Sequence, residues 1–141
     1  KTMNFNIFAD GGARGNPGPA AAGWIIKNSN GEKVAFGQKY LGKATNNVAE
    51  YQAVLGAYEW LVNNQTKLAG VSKINFYLDS RLVVFQLRGR FKIKAKHLMP
   101  LIAEIKRKEK AISMPVFYYL VPRDRNKEAD GLVNEVLDKR T

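Results

Sequence analysis

The stretch IFADGGARGNPGP, residues 7–19, constrains the fold more than any other part of the chain. Apolar and polar residues alternate over residues 4–10, which predicts a strand. The glycines and prolines that follow predict a turn, because glycine allows backbone conformations closed to other residues and proline stops a helix. Asp10 is therefore expected at the last position of the strand, facing a loop. An acid in that position is placed for chemistry rather than for packing.

The periodicity of the remaining chain predicts an α/β fold. The pair Asn30-Gly31 is a strong hairpin signal, so the first three strands are expected to form an antiparallel meander. Asn46 or Asn47 is the expected N-cap of the first helix. Helical crossovers then make strands one, four and five parallel, in a mixed five-stranded sheet with helices packed on it and the order βββαβααβα. The predicted strands are 4–10, 22–29, 33–41, 73–79 and 114–121, and the predicted helices are 46–63, 80–88, 99–112 and 126–139.

The composition indicates one globular domain over residues 1–141. A hydrophobic fraction of 45% in 141 residues is enough for a real core, in which we expect the tyrosines of the fifth strand to lie. No apolar run is long enough to span a membrane and no signal-peptide pattern opens the chain, so no membrane partner is expected. The absence of cysteine excludes disulfides and thiolate metal sites and is compatible with a cytoplasmic location.

The charge of the chain favours a polyanionic partner. The net charge is +11, and residues 81–125 alone hold 12 basic and 3 acidic groups, a net charge of +9. A small domain this basic most often binds nucleic acid, although generic solubility is the simpler alternative. The excess lies in one part of the chain, which favours a binding surface.

Four carboxylates are expected to converge on one metal site. Asp10 and Asp79 end parallel strands, whose carboxyl ends form the edge where ligands bind in open α/β sheets. Glu50 and Asp130 lie near the starts of two helices. Such a cluster of like charges needs a cation, and carboxylate ligands select Mg²⁺ or Mn²⁺. Two such ions could clamp a phosphodiester, whereas each acid taken alone could be only a helix cap or a surface charge.

Four segments of the chain resemble the type 1 ribonuclease H family. These are DGGARGNPGP at 10–19, TNNVAEY at 45–51, YLDS at 77–80 and VPRDRNKEAD at 121–130. The resemblance implies a monomeric endonuclease that uses two Mg²⁺ or Mn²⁺ ions to hydrolyse the RNA strand of an RNA–DNA hybrid, leaving 5′-phosphate and 3′-hydroxyl ends. By position, the four carboxylates match the metal-binding acids of the family.

The same resemblance, together with charge and turn chemistry, suggests which residues contact substrate. Small residues near Asp10 allow close approach of the RNA backbone, and asparagines can donate to and accept from a 2′-hydroxyl. Thr45 matches a residue that contacts a DNA phosphate, and the basic segment 88–96 is expected to bind phosphates without reading sequence. Turn and cap chemistry, or a solvated loop, would also account for these residues. The predicted contacts are Gly11, Gly12, Ala13, Arg14, Asn16, Thr45, Asn46, Asn47, Arg88, Arg90, Phe91, Lys92, Lys94, Lys96 and Asn126.

The loop before Asp130 departs from many bacterial members of this family. Those members carry a histidine there, whereas this loop reads VPRDRN, like the archaeal and related bacterial members that lack the histidine. Arg123 is the nearest candidate for a catalytic role. It stays protonated, so it could steer a phosphate or leaving group but could not act as a base. His97 is expected at the surface.

Two other functions fit the same sequence features. The first is a non-catalytic module that binds hybrid or double-stranded RNA, and the second is a different nuclease on the same fold. A pure binding module gains nothing from four acids that repel phosphate, which favours the enzyme. Double-stranded RNA is a second candidate substrate.

Overall fold

The computed structural model describes residues 3–90, 92 and 95–140. They form one mixed sheet of five strands in the order β3-β2-β1-β4-β5. The first three strands pair antiparallel, and β1, β4 and β5 pair parallel, which confirms the predicted fold. The strands are β1 Met3–Ala13, β2 Gly18–Lys27, β3 Lys33–Ala44, β4 Val71–Leu78 and β5 Val116–Leu120, the helices are α1 Asn46–Asn63, α2 Arg81–Leu87, α3 Met99–Ala111 and α4 Lys127–Asp138, and short 3₁₀ turns occupy Gln65–Leu68, Lys96–Leu98 and Arg123–Arg125.

Helices cover both faces of the sheet, as two neighbouring residues of β2 show. Ala22 belongs to the main core, where α1 packs on the sheet, whereas Ala21 packs with Val133 and Leu137 of α4. Because successive residues of a strand point to opposite faces, α1 and α4 lie on opposite sides of β2. The last helix therefore approaches the strand that carries Asp10 from the side away from α1.

The first strand is longer than its sequence pattern suggests. Asp10 was predicted at the last position, but β1 continues to Ala13 and pairs with β2 through that residue. The parallel pairing with β4 ends earlier, at Phe8 and Tyr77. The sequence pattern does not show that the strand continues, because the glycines after Asp10 interrupt the apolar alternation without interrupting the backbone pairing. Asp10 thus lies inside a strand, but just beyond the point where β1 and β4 separate.

Three local predictions can be compared with the structure. The hairpin at Asn30-Gly31 is confirmed, with Gly31 at a φ of 81°. The predicted cap of α1 at Asn46 or Asn47 is wrong, since Thr45 is the N-cap and its hydroxyl accepts from the amide of Val48 at 3.2 Å. Of the tyrosines in β5, Tyr118 is buried as predicted, whereas its neighbour Tyr119 is 38% exposed because it points to the other face.

In the part of the chain that the structure describes, no helix is both long enough and apolar enough to cross a bilayer.

Candidate active site

The structure brings the four predicted carboxylates into one cleft of about 430 Å³, which we call the acid cleft. Asp10 comes from β1, Asp79 directly follows β4, Glu50 lies in α1, and Asp130 lies in the first turn of α4. The elements arrive from both faces of the sheet and meet where β1 and β4 diverge. Arg123 also lines the cleft.

The electrostatics of Asp10 show that the acids are crowded. Burial, followed by the charges of the neighbouring Asp79, Asp130 and Glu50, raises its pKa to about 8. Asp10 also shares a hydrogen bond with Asp130. At neutral pH this carboxyl therefore holds a proton when no cation is near, because a second negative charge would be unfavourable.

Glu50 is perturbed in the same direction for related reasons. Burial and the charge of Asp79 raise its pKa to about 7, although a hydrogen bond with Ser80 opposes the shift. The guanidinium of Arg123 acts on Glu50 to lower the pKa. Arg123 is thus electrostatically coupled to Glu50, and its catalytic role stays a prediction.

Gly11 allows α1 to lie against β1. A Cβ placed on Gly11 would lie 2.1 Å from the carbonyl carbon of Ala49 and 2.4 Å from the amide nitrogen of Glu50. No side chain fits there, so the absence of a side chain brings the Glu50 backbone beside the strand that carries Asp10. Gly11, a predicted substrate contact, also lines the acid cleft. The packing of α1 is nevertheless the reason that no larger residue is tolerated at this position.

Gly23 does the same for α4 and was not predicted. It pairs with Asp10 across β1 and β2. A Cβ on Gly23 would lie 2.8 Å from the Cβ of Leu132 and 3.0 Å from the carbonyl oxygen of Ala129. The close approach of α4 at this point brings Asp130 to Asp10. In the sequence, the run of small residues that ends at Gly23 was the available signal.

Asn126 was predicted to contact substrate, but the structure buries it. Its side chain is 1% exposed, and Nδ2 donates to the carbonyl oxygen of Ala9 at 2.9 Å and to Oδ2 of Asp79 at 3.4 Å. A residue buried this deeply cannot touch a strand in the cleft. It instead connects the loop before α4 to β1 and to one of the four acids.

The donor chemistry of the cleft fits hard divalent cations. Among residues 3–90, 92 and 95–140, no three Asp, Glu, His or Cys side chains already surround one point as a formed metal site. The four carboxylates nevertheless share one cleft, where burial and the charges of neighbouring acids raise the pKa values of Asp10 and Glu50. Carboxylate oxygens crowded in this way are suited to bind Mg²⁺ or Mn²⁺, which would neutralise their charge.

A polar chain on the surface leads from the turn after β1 to Asp130. Arg14 donates to Asp138 at 2.5 Å and to Oδ1 of Asn134 at 3.4 Å, and Nδ2 of Asn134 donates to Asp130 at 3.2 Å. Arg14, which is a predicted substrate contact, also lines the acid cleft. Asn134 was missed, although it lies four residues after Asp130 and hence on the same face of α4.

The predicted asparagine and threonine contacts also have structural roles. Oδ1 of Asn46 accepts from the amide of Ala13 at 2.8 Å, and Oδ1 of Asn16 accepts from the amide of Asn46 at 3.0 Å. These bonds join the turn after β1 to the start of α1. They use the carbonyl oxygens, so the Nδ2 donors are the part of each side chain suited to substrate. Gly12, Ala13 and Asn46 line the acid cleft, whereas Thr45 caps α1.

The described residues of the basic segment, apart from Lys96, divide between two adjoining grooves that share Arg90. Arg90 and Lys92 line a second groove of about 520 Å³, which we call the α2 groove. Arg88 does not line the α2 groove and donates from Nε to the carbonyl oxygen of Tyr118 on β5 at 2.8 Å. Lys96 is exposed in the 3₁₀ turn before α3, and the predicted contacts Phe91 and Lys94 lie outside the described residues. The α2 groove is lined by Asn47, Leu82, Gln86, Arg90, Lys92, Ala95 and Leu98.

The comparisons with known proteins agree on the family. The model of the reverse transcriptase-like family matches residues 8–136. The structure of LC11-RNase H1 in complex with an RNA/DNA hybrid matches with a TM-score of 0.90 at 38% identity, covering 96% of this chain and 98% of that one. RNase H1 from the halophilic archaeon Halobacterium salinarum matches with a TM-score of 0.86 at 35% identity, covering 96% and 98%. The chain belongs to the ribonuclease H family.

Two curated relatives show how much of a ribonuclease H protein the chain spans. Ribonuclease HI of Halobacterium salinarum is 37% identical over 134 residues, which are 94% of this chain and 64% of that protein. A bifunctional protein of Mycobacterium tuberculosis is 37% identical over 137 residues, which are 96% of this chain and 36% of that protein. The chain thus covers less than two thirds of either relative.

Proposed function

We propose that this ribonuclease H domain is a metal-dependent endonuclease that hydrolyses the RNA strand of RNA–DNA hybrids. The observation that carries the proposal is the convergence of Asp10, Glu50, Asp79 and Asp130 in one cleft of a protein with a net charge of +11. The hybrid in the structure of LC11-RNase H1 supports the choice of substrate. The products would carry 5′-phosphate and 3′-hydroxyl ends.

The four carboxylates would hold two Mg²⁺ or Mn²⁺ ions. When bound, such ions supply a water nucleophile at neutral pH and neutralise charge on the leaving oxygen. The chain itself contributes the position of the acids, which Gly11, Gly23 and Asn126 fix through backbone packing and hydrogen bonds. Arg123, at the rim, would steer a phosphate, since it cannot accept a proton.

Two grooves flank the start of α1 and suit the two strands of a hybrid. Asn46 lines the acid cleft, and its neighbour Asn47 lines the α2 groove. The RNA strand would lie in the acid cleft, where the asparagine amides can meet 2′-hydroxyls. The DNA strand would lie in the α2 groove, where Arg90 and Lys92 can bind its phosphates.

The test is cleavage of an end-labelled RNA–DNA hybrid in Mg²⁺ and in Mn²⁺, followed by identification of the new ends. We expect cuts within the RNA strand and none in the DNA strand. Asp10→Asn should abolish cutting and retain hybrid binding, whereas Asp124→Asn, at an exposed acid that does not line the acid cleft, should cut normally. Folded protein that cuts no hybrid under either metal would contradict the proposal.

Parallel assays on double-stranded RNA and double-stranded DNA separate the other functions. Cleavage of hybrid alone favours the hybrid-specific enzyme, and cutting of double-stranded RNA would extend its substrate range. Hybrid binding that is identical in wild type and in variants of all four acids, without cleavage, would favour a binding module. We further propose that the domain belongs to the histidine-lacking subgroup, because the loop before Asp130 has no histidine, and that it acts as a cytoplasmic monomer.

A further inference from the structure

A row of stacked aromatic rings crosses the open face of the sheet and ends at its edge. Phe8, Tyr77 and Tyr119 are cross-strand partners on β1, β4 and β5, with ring centroids 5.0 Å and 5.5 Å apart. Phe117 lies 6.5 Å from Tyr119 on the same strand. Phe117 is 42% exposed and Tyr119 is 38% exposed, although α4 covers other parts of this face. The row therefore presents aromatic surface to solvent at β5.

Cations lie along the same edge of the sheet as these two exposed rings. A groove of about 510 Å³ runs along the segment 116–119 of β5 and is bounded on its other side by Arg88, Arg90 and Lys106; we call it the edge groove. Its one acid, Glu109, is occupied by Lys106 at 3.2 Å and by the hydroxyl of Tyr118 at 2.5 Å. The ammonium of Lys73 also lies 5.8 Å from the ring centre of Phe117. Rings and positive charge thus occur together.

The edge groove continues from the surface proposed for the DNA strand. Arg90 lines both the edge groove and the α2 groove. A strand that left the α2 groove past Arg90 would meet the exposed rings of Phe117 and Tyr119 next. The placement of the DNA strand in the α2 groove rests on the function proposed above. The exposed rings and the cations of the edge groove do not depend on it.

The edge of β5 is less suited to an added protein strand. Amides and carbonyls of odd-numbered residues face β4, since the carbonyl of Pro115 accepts from Ile74 and the amide of Val121 donates to Leu78. The carbonyl of Tyr118 therefore points to the free edge, where the guanidinium of Arg88 occupies it. An added strand would have to displace this arginine, whereas stacked bases would not.

We propose that the edge groove binds a single-stranded nucleic acid segment that extends from the hybrid. Bases would stack on Phe117 and Tyr119, a contact that every base can make through its π-face. Arg90 would bind the phosphates, which makes the interaction sensitive to salt. The site would favour hybrids with single-stranded flanks over blunt ones.

Fluorescence anisotropy tests the proposal in the Asp10→Asn background, which keeps hybrids uncut. The probes are labelled oligo(dT), a blunt hybrid, and the same hybrid with a single-stranded DNA overhang of about eight nucleotides at either end. We expect an overhang at one end to raise affinity about tenfold, and the double substitution Phe117→Ala and Tyr119→Ala to remove that gain while leaving the blunt hybrid unchanged.

Phe36→Ala is the matched control. Phe36 is a 53% exposed ring beneath Lys33 at 5.2 Å, on the opposite edge strand β3, and its loss should leave the overhang gain intact. The proposal is overturned if the double variant keeps the gain, which would leave the rings to a protein partner, or if it weakens blunt and overhanging hybrids equally. Failure of the proposed nuclease function would give a different result. The wild-type protein would cut no hybrid, but the double variant would still bind oligo(dT) less tightly than the protein with both rings.

Discussion

Gly11 lies directly against the backbone of Ala49, so β1 and α1 touch where the acid cleft begins. A Cβ on Gly11 would lie 2.1 Å from the carbonyl carbon of Ala49 and 2.2 Å from its oxygen. Backbone atoms cannot rotate away as a side chain can. The contact thus sets the distance between the strand that carries Asp10 and the helix that carries Glu50.

Gly11→Ala should therefore damage both the fold and the site. We expect a loss of about 3 kcal/mol or more, because the added methyl group forces α1 from β1, and a loss of cleavage out of proportion to the fraction unfolded. Thermal unfolding and hybrid cleavage of the same preparation measure both effects. Gly12→Ala is the control for stability, since its Cβ would meet only the Cγ1 of Val133 at 3.8 Å. Equal stability of the two variants would contradict the packing argument.

Asp10→Asn should separate catalysis from stability. The substitution removes a charge that its neighbours oppose, so the metal-free protein should unfold at a higher temperature at pH 8. Hybrid cleavage should fall about a thousandfold or more, because an ion ligand is lost. Asp124→Asn should change neither quantity. A metal-free variant less stable than wild type at pH 8 would show that the carboxylates do not repel one another.

The stability of the metal-free protein should fall as pH rises through the range in which the buried acids Asp10 and Glu50 lose their protons. The folded state raises the pKa of Asp10 from 3.8 to about 8 and that of Glu50 from 4.5 to about 7. Both groups bind protons more tightly when folded, so their contribution is fully present below pH 3.8 and is lost as pH approaches 8. Melting temperatures across this range, with and without Mg²⁺, test the linkage.

Mg²⁺ should raise the melting temperature more at pH 8 than at pH 5, because the ion competes with protons for the same carboxylates. Asp10→Asn should reduce both the pH dependence and the effect of Mg²⁺. An equal increment from Mg²⁺ at both pH values would mean that the ion binds outside the acid cleft.

Asn126→Ala should destabilise the protein and slow cleavage without weakening hybrid binding. The substitution leaves the carbonyl of Ala9 without its buried partner, at a cost of about 1–3 kcal/mol, and releases Asp79. Cleavage kinetics should show a lower kcat with KM little changed. Asn134→Ala removes an exposed bond to Asp130 and should change stability by about 0.5 kcal/mol or less. A raised KM with unchanged stability would restore the direct substrate contact predicted from sequence.

The sequence predicted the acids and missed what holds them. Asp10, Glu50, Asp79 and Asp130 could be found because an acid near the end of an element breaks a visible apolar pattern. Gly23 was missed, since the run of small residues that ends there indicates a close approach but does not say which helix makes it. Asn126 was predicted to contact substrate, and its burial could not be foreseen because it depends on Ala9 and Asp79, which are distant in sequence.

The order of strands and helices, the hairpin at Asn30-Gly31 and the identity of the four acids were determined by the sequence alone. These features follow from local periodicity, turn chemistry and charge, all of which act between near neighbours in the chain. Only the tertiary structure decided that Asp10 lies inside β1, that Asn126 is buried and that Tyr119 is exposed beside Phe117. Those outcomes depend on backbone pairing and on packing between distant segments, so the residues themselves carry no local sign of them.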